Sequence, residues 1–165
     1  MSMKHLASST STSELSEFTE DQVQPNAIDL RLDKIFKITK NIPFRISEEE
    51  KSHRKTHPVV ADKDGWYNLE EGKYEVIMEG TISMGKGEAG WVITRSTLNR
   101  NGCYITSGLY DSGYNGVMAG VLHVPGPTHI KKGTRIGQML IFDAECLNMY
   151  DGSYGIGKEH DKKYE

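Results

Sequence analysis

Three short stretches of this chain carry side chains whose type and spacing could do chemistry. In Thr94-Arg95-Ser96-Thr97-Leu98-Asn99-Arg100, two guanidinium groups flank two hydroxyls directly after an apolar run. A strand-to-helical-turn junction of this kind sets charge-assisted donors beside free backbone N–H groups, which suits phosphate oxygens. The same residues also fit an ordinary helix start with solvated arginines. In Ser107-Gly108-Leu109-Tyr110-Asp111-Ser112-Gly113-Tyr114-Asn115-Gly116, glycines on both sides of Asp111 and Tyr114 suggest a tight hairpin with exposed backbone groups. Asp111 there fits either a catalytic carboxylate or the local hydrogen bonding usual for aspartate in a turn. The third stretch, Tyr150-Asp-Gly-Ser-Tyr154-Gly-Ile-Gly157-Lys158, embeds an aromatic among glycines. It suits a mobile lid over a ligand, or a disordered terminus.

Short strands must position these clusters. Ile28-Asp29-Leu30-Arg31-Leu32-Asp33 alternates apolar and polar residues, as a strand with one buried face does. Further strands are expected at Tyr74–Glu79, Gly90–Arg95, Gly116–Val124 and Thr134–Phe142, the last two separated by Pro125-Gly126-Pro127. Helical periodicity is confined to a short stretch at Ser96–Arg100. Many short, glycine-punctuated strands imply an all-β fold, a distorted jelly roll or barrel. Residues 1–22, rich in Ser and Thr, are expected to form a flexible N-terminal tail, followed by a β domain over 23–149 and a Gly-rich C-terminal lid or tail over 150–165. The charged stretch 47–63 reads as an exposed loop, and its His53 and His57 lack a third metal ligand nearby.

Bulk properties narrow the function classes. The 165 residues suffice for one domain, with 36% hydrophobic and 26% charged residues and a formal charge of −3. That balance argues against a general nucleic-acid binder but leaves room for a local basic pocket. Cys103 and Cys146 are isolated, so neither a disulfide framework nor a zinc ribbon is expected. No apolar run approaches the roughly 20 residues of a membrane span, and the N-terminus lacks a signal-peptide core. A cytoplasmic location without membrane partners is the resulting expectation.

Taken in order, the clusters resemble the motifs of the dUTPase/dCTP deaminase superfamily from about Gln24 to Gly157. Gln24-Pro-Asn-Ala-Ile-Asp-Leu-Arg-Leu is similar to the first motif, and Arg95-Ser-Thr-Leu-Asn-Arg100-Asn-Gly102 to the second. Leu109-Tyr-Asp111-Ser-Gly-Tyr114-Asn-Gly116 resembles the third, and Lys132-Gly-Thr-Arg135-Ile-Gly-Gln138-Met the fourth. Gly152–Gly157 matches the Gly-rich fifth motif loosely. The resemblance implies a homotrimer with sites at subunit interfaces, acting on dUTP with Mg²⁺ carried mainly by the triphosphate. It assigns Asp111 as the general base that activates water against the α-phosphorus; a carboxylate is ionised at pH 7 without tuning. Tyr114 is assigned to the deoxyribose face, and backbone groups of the 104–111 hairpin to the uracil edge. Arg95, Ser96, Thr97, Arg100 and Gln138 fall on phosphate-binding positions, Asp29 near the metal's waters, Tyr154 over the base, and Lys158 towards the phosphates.

Within that superfamily, one carboxylate separates two activities. Deaminases carry a glutamate ten residues after the third-motif aspartate; that position is Val121, and neither Asp nor Glu occurs between Ser112 and Phe142. Zinc-type deamination is unsupported as well, because its H-x-E and P-C-x-x-C pattern is absent. Hydrolysis of dUTP to dUMP and pyrophosphate is therefore expected. The alternatives are a dCTP deaminase or bifunctional relative, and a non-catalytic regulatory trimer of the same fold. Met149 stands where the fifth motif carries arginine, and Tyr154 replaces the usual Phe. These departures fit a divergent archaeal or viral member, the latter placed in host cytoplasm.

Overall fold

The computed structural model describes residues 2–165. Met3–Lys4 (β1) and Glu14–Leu15 (β2) precede the long strand Ile28–Ile38 (β3). Arg45–Ile46 (β4), Lys51–Ser52 (β5) and Thr56–Pro58 (β6) are short; Trp66–Leu69 (β7), Gly72–Ser83 (β8) and Glu88–Thr94 (β9) follow. A short helix, Ser96–Arg100 (α1), leads to Tyr104–Thr106 (β10), Asn115–Val124 (β11), Thr128–Lys131 (β12) and Arg135–Asp143 (β13). The main sheet runs β1-β13-β3-β8-β11-β10, with β2, β6 and β9 added to β8, β3 and β13. Its pairings are antiparallel, so the sheet curls on itself, as expected for a jelly-roll-like fold.

Period-two patterning accounts for these strands. Ile28, Leu30 and Leu32 of β3 point into one core with Val76 and Met78 of β8, Met118 and Leu122 of β11, and Ile136, Met139 and Ile141 of β13. The alternation is reset where register shifts: between Leu32 and Lys34, Val117 and Ala119, and Arg135 and Gly137. Bulges of this type bend a strand and increase its twist, which helps a sheet to close. The charged 47–63 stretch is largely exposed and carries β5 and β6.

The N-terminal segment departs from expectation. Instead of a flexible tail, β1 pairs with β13 at Met3↔Phe142, β2 pairs with β8 at Leu15↔Ile82, and Leu6, Ser13 and Leu15 are buried. The cause is a carboxylate far away in sequence. Glu88 is 1% exposed; its oxygens accept from Thr12 N–H (2.9 Å), Ser11 Oγ (2.9 Å) and Ser13 Oγ (2.7 Å), and Lys4 Nζ lies 3.1 Å away. Ser and Thr, too polar to build a core, here satisfy a buried charge that is costly without partners. The C-terminus is likewise anchored: Tyr164, on the 3-10 turn Glu159–Tyr164, packs its ring 5.9 Å from Phe36 and joins a small cluster with Ile77.

Burial would raise the pKa of Glu88, but the bonds from Ser13, Thr12, Lys4 and Ser11 outweigh it and hold the carboxyl at about 2 instead of the ordinary 4.5. As pH falls, the unfolded chain takes up this proton first. The stabilisation is therefore complete above the unfolded value and is lost as pH drops towards about 2. At about 1.4 kcal/mol per pH unit, the linkage is worth about 3 kcal/mol at neutral pH. The Tm gap between wild type and Glu88→Gln should be widest near neutral pH and shrink on acidification. A gap independent of pH would show that the strap does not depend on the charge.

Candidate active site

The hairpin of β10 and β11, paired Tyr104↔His123 to Thr106↔Val121, leaves 107–114 free to form a loop and a turn. Between this loop, Ala119 and the C-terminal segment lies a cavity of about 620 Å³, walled by Ser107, Tyr110, Tyr114, Tyr150 and Tyr154. Backbone N–H groups of Gly108 and Leu109 donate to no described residue, so they are available to a ligand in the cavity. Tyr114 is fixed: its hydroxyl donates to Val117 O (2.7 Å), and its ring lies 5.3 Å from Tyr110 and 5.4 Å from Tyr150. Burial pushes the Tyr114 phenol well above its ordinary pKa, so it remains a neutral donor.

The C-terminal segment closes one side of the cavity. Ile156 N–H donates to Asn115 O (2.9 Å), and a Cβ at Gly116 would sit 2.7 Å from the Gly155 Cα, so only glycine permits this approach. Asp161 acts as the latch, accepting from Gly155 N–H (2.7 Å) with one oxygen while the other lies 2.9 Å from His160 Nδ1. Tyr154 stands edge-on to His160 at 4.9 Å, and His53, from the charged loop, lies 4.6 Å from His160. Burial, with the neighbouring His160, lowers the His53 pKa. Lys158 Nζ is 3.9 Å from the Asp151 carboxylate.

Asp111 is exposed on the turn beside this cavity, and its carboxylate makes no hydrogen bond or ion pair among the described residues. A second cluster forms where β3, β9 and β13 meet. Register places Gln138 opposite both Asp29 and Ile93. Gln138 Nε2 donates to Asp29 Oδ1 (2.9 Å), while Arg95 Nε and Arg135 Nη1 each lie 3.3 Å from Asp29 Oδ2. Asp29, expected near a metal's waters, has a fully buried side chain that serves here as counter-ion to two arginines. Arg135 was not singled out from the sequence, although its position in the fourth motif offered a signal. Gln22, which donates to Asp29 O (2.8 Å), offered none. Ser96 and Thr97 are exposed at the start of α1, and Arg100 at its end.

The two halves do not share one cavity. The cavity beside the hairpin is walled by neither Asp29, Arg95, Ser96 nor Gln138. A cavity large enough for a nucleoside thus sits at one place on the chain, and a cluster of cations and amides at another.

The sequence model of the dCTP deaminase-like family matches residues 2–144. A probable deoxyuridine 5'-triphosphate nucleotidohydrolase of Halobacterium salinarum is 34% identical, over 82% of this chain and 84% of its own. The deoxyuridine 5'-triphosphate nucleotidohydrolase of Methanocaldococcus jannaschii is 30% identical, over 90% and 97%. Among solved structures, a 2'-deoxycytidine 5'-triphosphate deaminase from Agrobacterium tumefaciens aligns over 80% of this chain with a TM-score of 0.58 and 17% identity; this chain spans 44% of that one. A Staphylococcus bacteriophage 80alpha dUTPase mutant with dUpNHpp aligns over 87% of this chain and 97% of its own, with a TM-score of 0.50 and 14% identity. With the fold shared and the family's sequence pattern running through all but the tail, the chain belongs to the dCTP deaminase-like family.

Proposed function

We propose that this protein hydrolyses dUTP to dUMP and pyrophosphate, with Asp111 as general base. One observation carries the assignment. Asp111 is an exposed carboxylate without a described partner, next in sequence to Tyr110, which lines a cavity large enough for a nucleoside, whereas Asp29 and Glu88 are saturated by donors. The names of the curated relatives support the substrate. The water oxygen bonds to the α-phosphorus, its proton passes to Asp111, and the bridging oxygen leaves with pyrophosphate.

Gly108 and Leu109 N–H groups read the uracil edge, and Tyr114, held rigid by Val117 and two tyrosine rings, fills the space beneath the sugar. Arg95, Arg135 and Gln138, with the hydroxyls of Ser96 and Thr97 and the charge of Arg100, bind the phosphates. Asp29 orients the two arginines rather than competing for metal. Mg²⁺ arrives with the triphosphate, whose oxygens are hard ligands suited to it. When bound, Mg²⁺ offsets the charge that develops on the phosphate oxygens. Because the base pocket and the phosphate cluster are separate on one chain, a homotrimer in which neighbours combine their halves completes the site.

A second reading, deamination of dCTP, draws on Glu75. It is the cross-strand partner of Val121 and lines the same cavity, but Lys163 Nζ lies 3.0 Å from its carboxylate. Incubating the protein with Mg²⁺ and either dUTP or dCTP, and resolving the products, separates the two. Release of dUTP from dCTP would favour deamination; pyrophosphate from dUTP alone supports hydrolysis.

Asp111→Asn should retain the fold and lose about 10²–10⁴-fold in kcat on dUTP, since an amide takes no proton. Turnover near wild type would remove Asp111 from the role. Tyr114→Phe should keep the preference for dUTP over UTP, because the ring remains, while Tyr114→Ala should reduce it. An unchanged ratio of kcat/KM values in Tyr114→Ala would exclude sugar contact.

The Tyr164 anchor changes what truncation should do. Removing residues from Asp151 onward should lower Tm by several degrees, because Tyr164 leaves its cluster with Phe36 and Ile77. Tyr154→Ala and Lys158→Ala spare that anchor and should raise KM for dUTP with little change in Tm. Wild-type KM in both would show that the segment closes the cavity without touching substrate.

A further inference from the structure

Nothing on the Asp111 side chain aims it; its direction comes from the backbone that carries it. Five hydrogen bonds join that turn to the stretch 84–90: Tyr110 and Gly90 exchange two (2.8 and 2.9 Å), Ser112 Oγ donates to Glu88 O (2.6 Å), Gly113 N–H to Met84 O (2.9 Å), and Met84 N–H to Tyr114 O (2.8 Å). The 84–90 stretch is gripped in turn by the N-terminal strap. Gly85 N–H donates to Ser13 Oγ (2.9 Å), Thr12 Oγ1 to Lys86 O (3.3 Å), and the Glu88 carboxylate collects the four donors of Lys4 and Ser11–Ser13. Contact at Gly85 leaves no slack: a Cβ there would lie 2.2 Å from Thr12 Oγ1 and 2.3 Å from Thr12 O.

We propose that the Lys4–Ser13 strap is a positioning element for the catalytic base: by gripping Glu88 and Gly85 it sets the 84–90 stretch, which holds the 110–114 turn and with it the direction of Asp111. The strap touches neither the base cavity nor Asp111, so it acts only through that chain of bonds. The route is mechanical and short. Most links are buried or part-buried hydrogen bonds, and they act on the polar side of segments whose Leu6, Met84, Tyr110 and Tyr114 side chains stay packed in the core, so loss of one link shifts the backbone around Asp111 without unfolding it. Reactions of this kind tolerate little misplacement, since an error of about 1 Å can cost on the order of 10²-fold in rate. This rests on the reading of Asp111 as base.

Two substitutions disturb the strap from different sides: Glu88→Gln weakens its grip, and Gly85→Ala wedges it away. On the full chain, each should lower kcat for dUTP about tenfold while leaving KM within about twofold, because the phosphate and base contacts lie outside the turn and the Tyr114 side chain is held separately by Val117 O and the rings of Tyr110 and Tyr150. In an Asp111→Asn background the same substitutions should change the residual rate by less than about twofold, since the group they misplace no longer acts. Losses that add fully to that of Asp111→Asn, or that fall on KM, would overturn the proposal. Should Glu88→Gln fail to fold, Lys4→Met leaves the Glu88 carboxylate its three Ser11–Ser13 donors, removes the Lys4 contacts to Glu88, Asp143 and Thr10 O from a side chain already 25% exposed, and carries the same comparison. A wild-type chain inactive on dUTP would refute the hydrolase reading alone. Amide exchange then decides: faster exchange at Gly113 and Tyr114 in both variants, with β3 and β8 still protected, supports the strap, and unchanged exchange overturns it.

Discussion

A fully buried carboxylate, Asp29, is the constraint on which the arginine cluster, the proposed phosphate half of this molecule, depends. An unpaired charge at that depth costs several kcal/mol. It persists because Arg95 from the end of β9 and Arg135 and Gln138 from β13 converge on it. The register of three strands is thereby tied to one side chain. A one-residue slip of β13 would turn Gln138 to the opposite face and strand the charge. The same convergence leaves two guanidinium groups partly exposed and held in place, as an anion site requires.

Much of this fold was legible in the sequence, for physical reasons that also mark where legibility ended. The alternation in Ile28–Asp33 correctly located β3, and the apolar runs located β8, β9, β11 and β13. Alternation alone does not say what the polar face meets. Asp29, Arg31 and Asp33 read alike as solvent-facing residues, yet only Asp29 is closed over, because β13 and the Glu20–Gln22 turn cover it. Arg135 stands in the fourth motif, but its pairing with Asp29 spans 106 residues of chain, so no local pattern links the two.

The N-terminal segment is the clearest failure of compositional reasoning. A run of Ser and Thr cannot bury enough apolar surface to offset its ordering entropy, and that remains true here. The missing term was a buried acceptor elsewhere in the chain. Glu88 supplies one, and hydroxyls that are poor core formers become good ligands for it. The C-terminal segment shows the complementary case. Its glycines suggested mobility, but Tyr164 finds an apolar socket and Asp161 ties back to Gly155. Glycine at 116 then matters for space rather than for flexibility.

Three carboxylates in this protein differ chiefly in how many donors reach them, and that number assigns their work. Asp29 has three side-chain donors and no exposure, so it organises cations. Glu88 has four donors and a carboxyl held at about 2, so it stays charged over the whole working range and clamps backbone. Asp111 has none among the described residues and is exposed on the turn that follows the cavity residue Tyr110. A base must have a lone pair to offer, and saturated carboxylates have spent theirs. What Asp111 lacks is any contact that fixes its aim, so its precision has to be borrowed from the backbone beneath it. In the proposed reaction the two saturated carboxylates, one behind the arginine cluster and one behind the turn, are what make a free one useful.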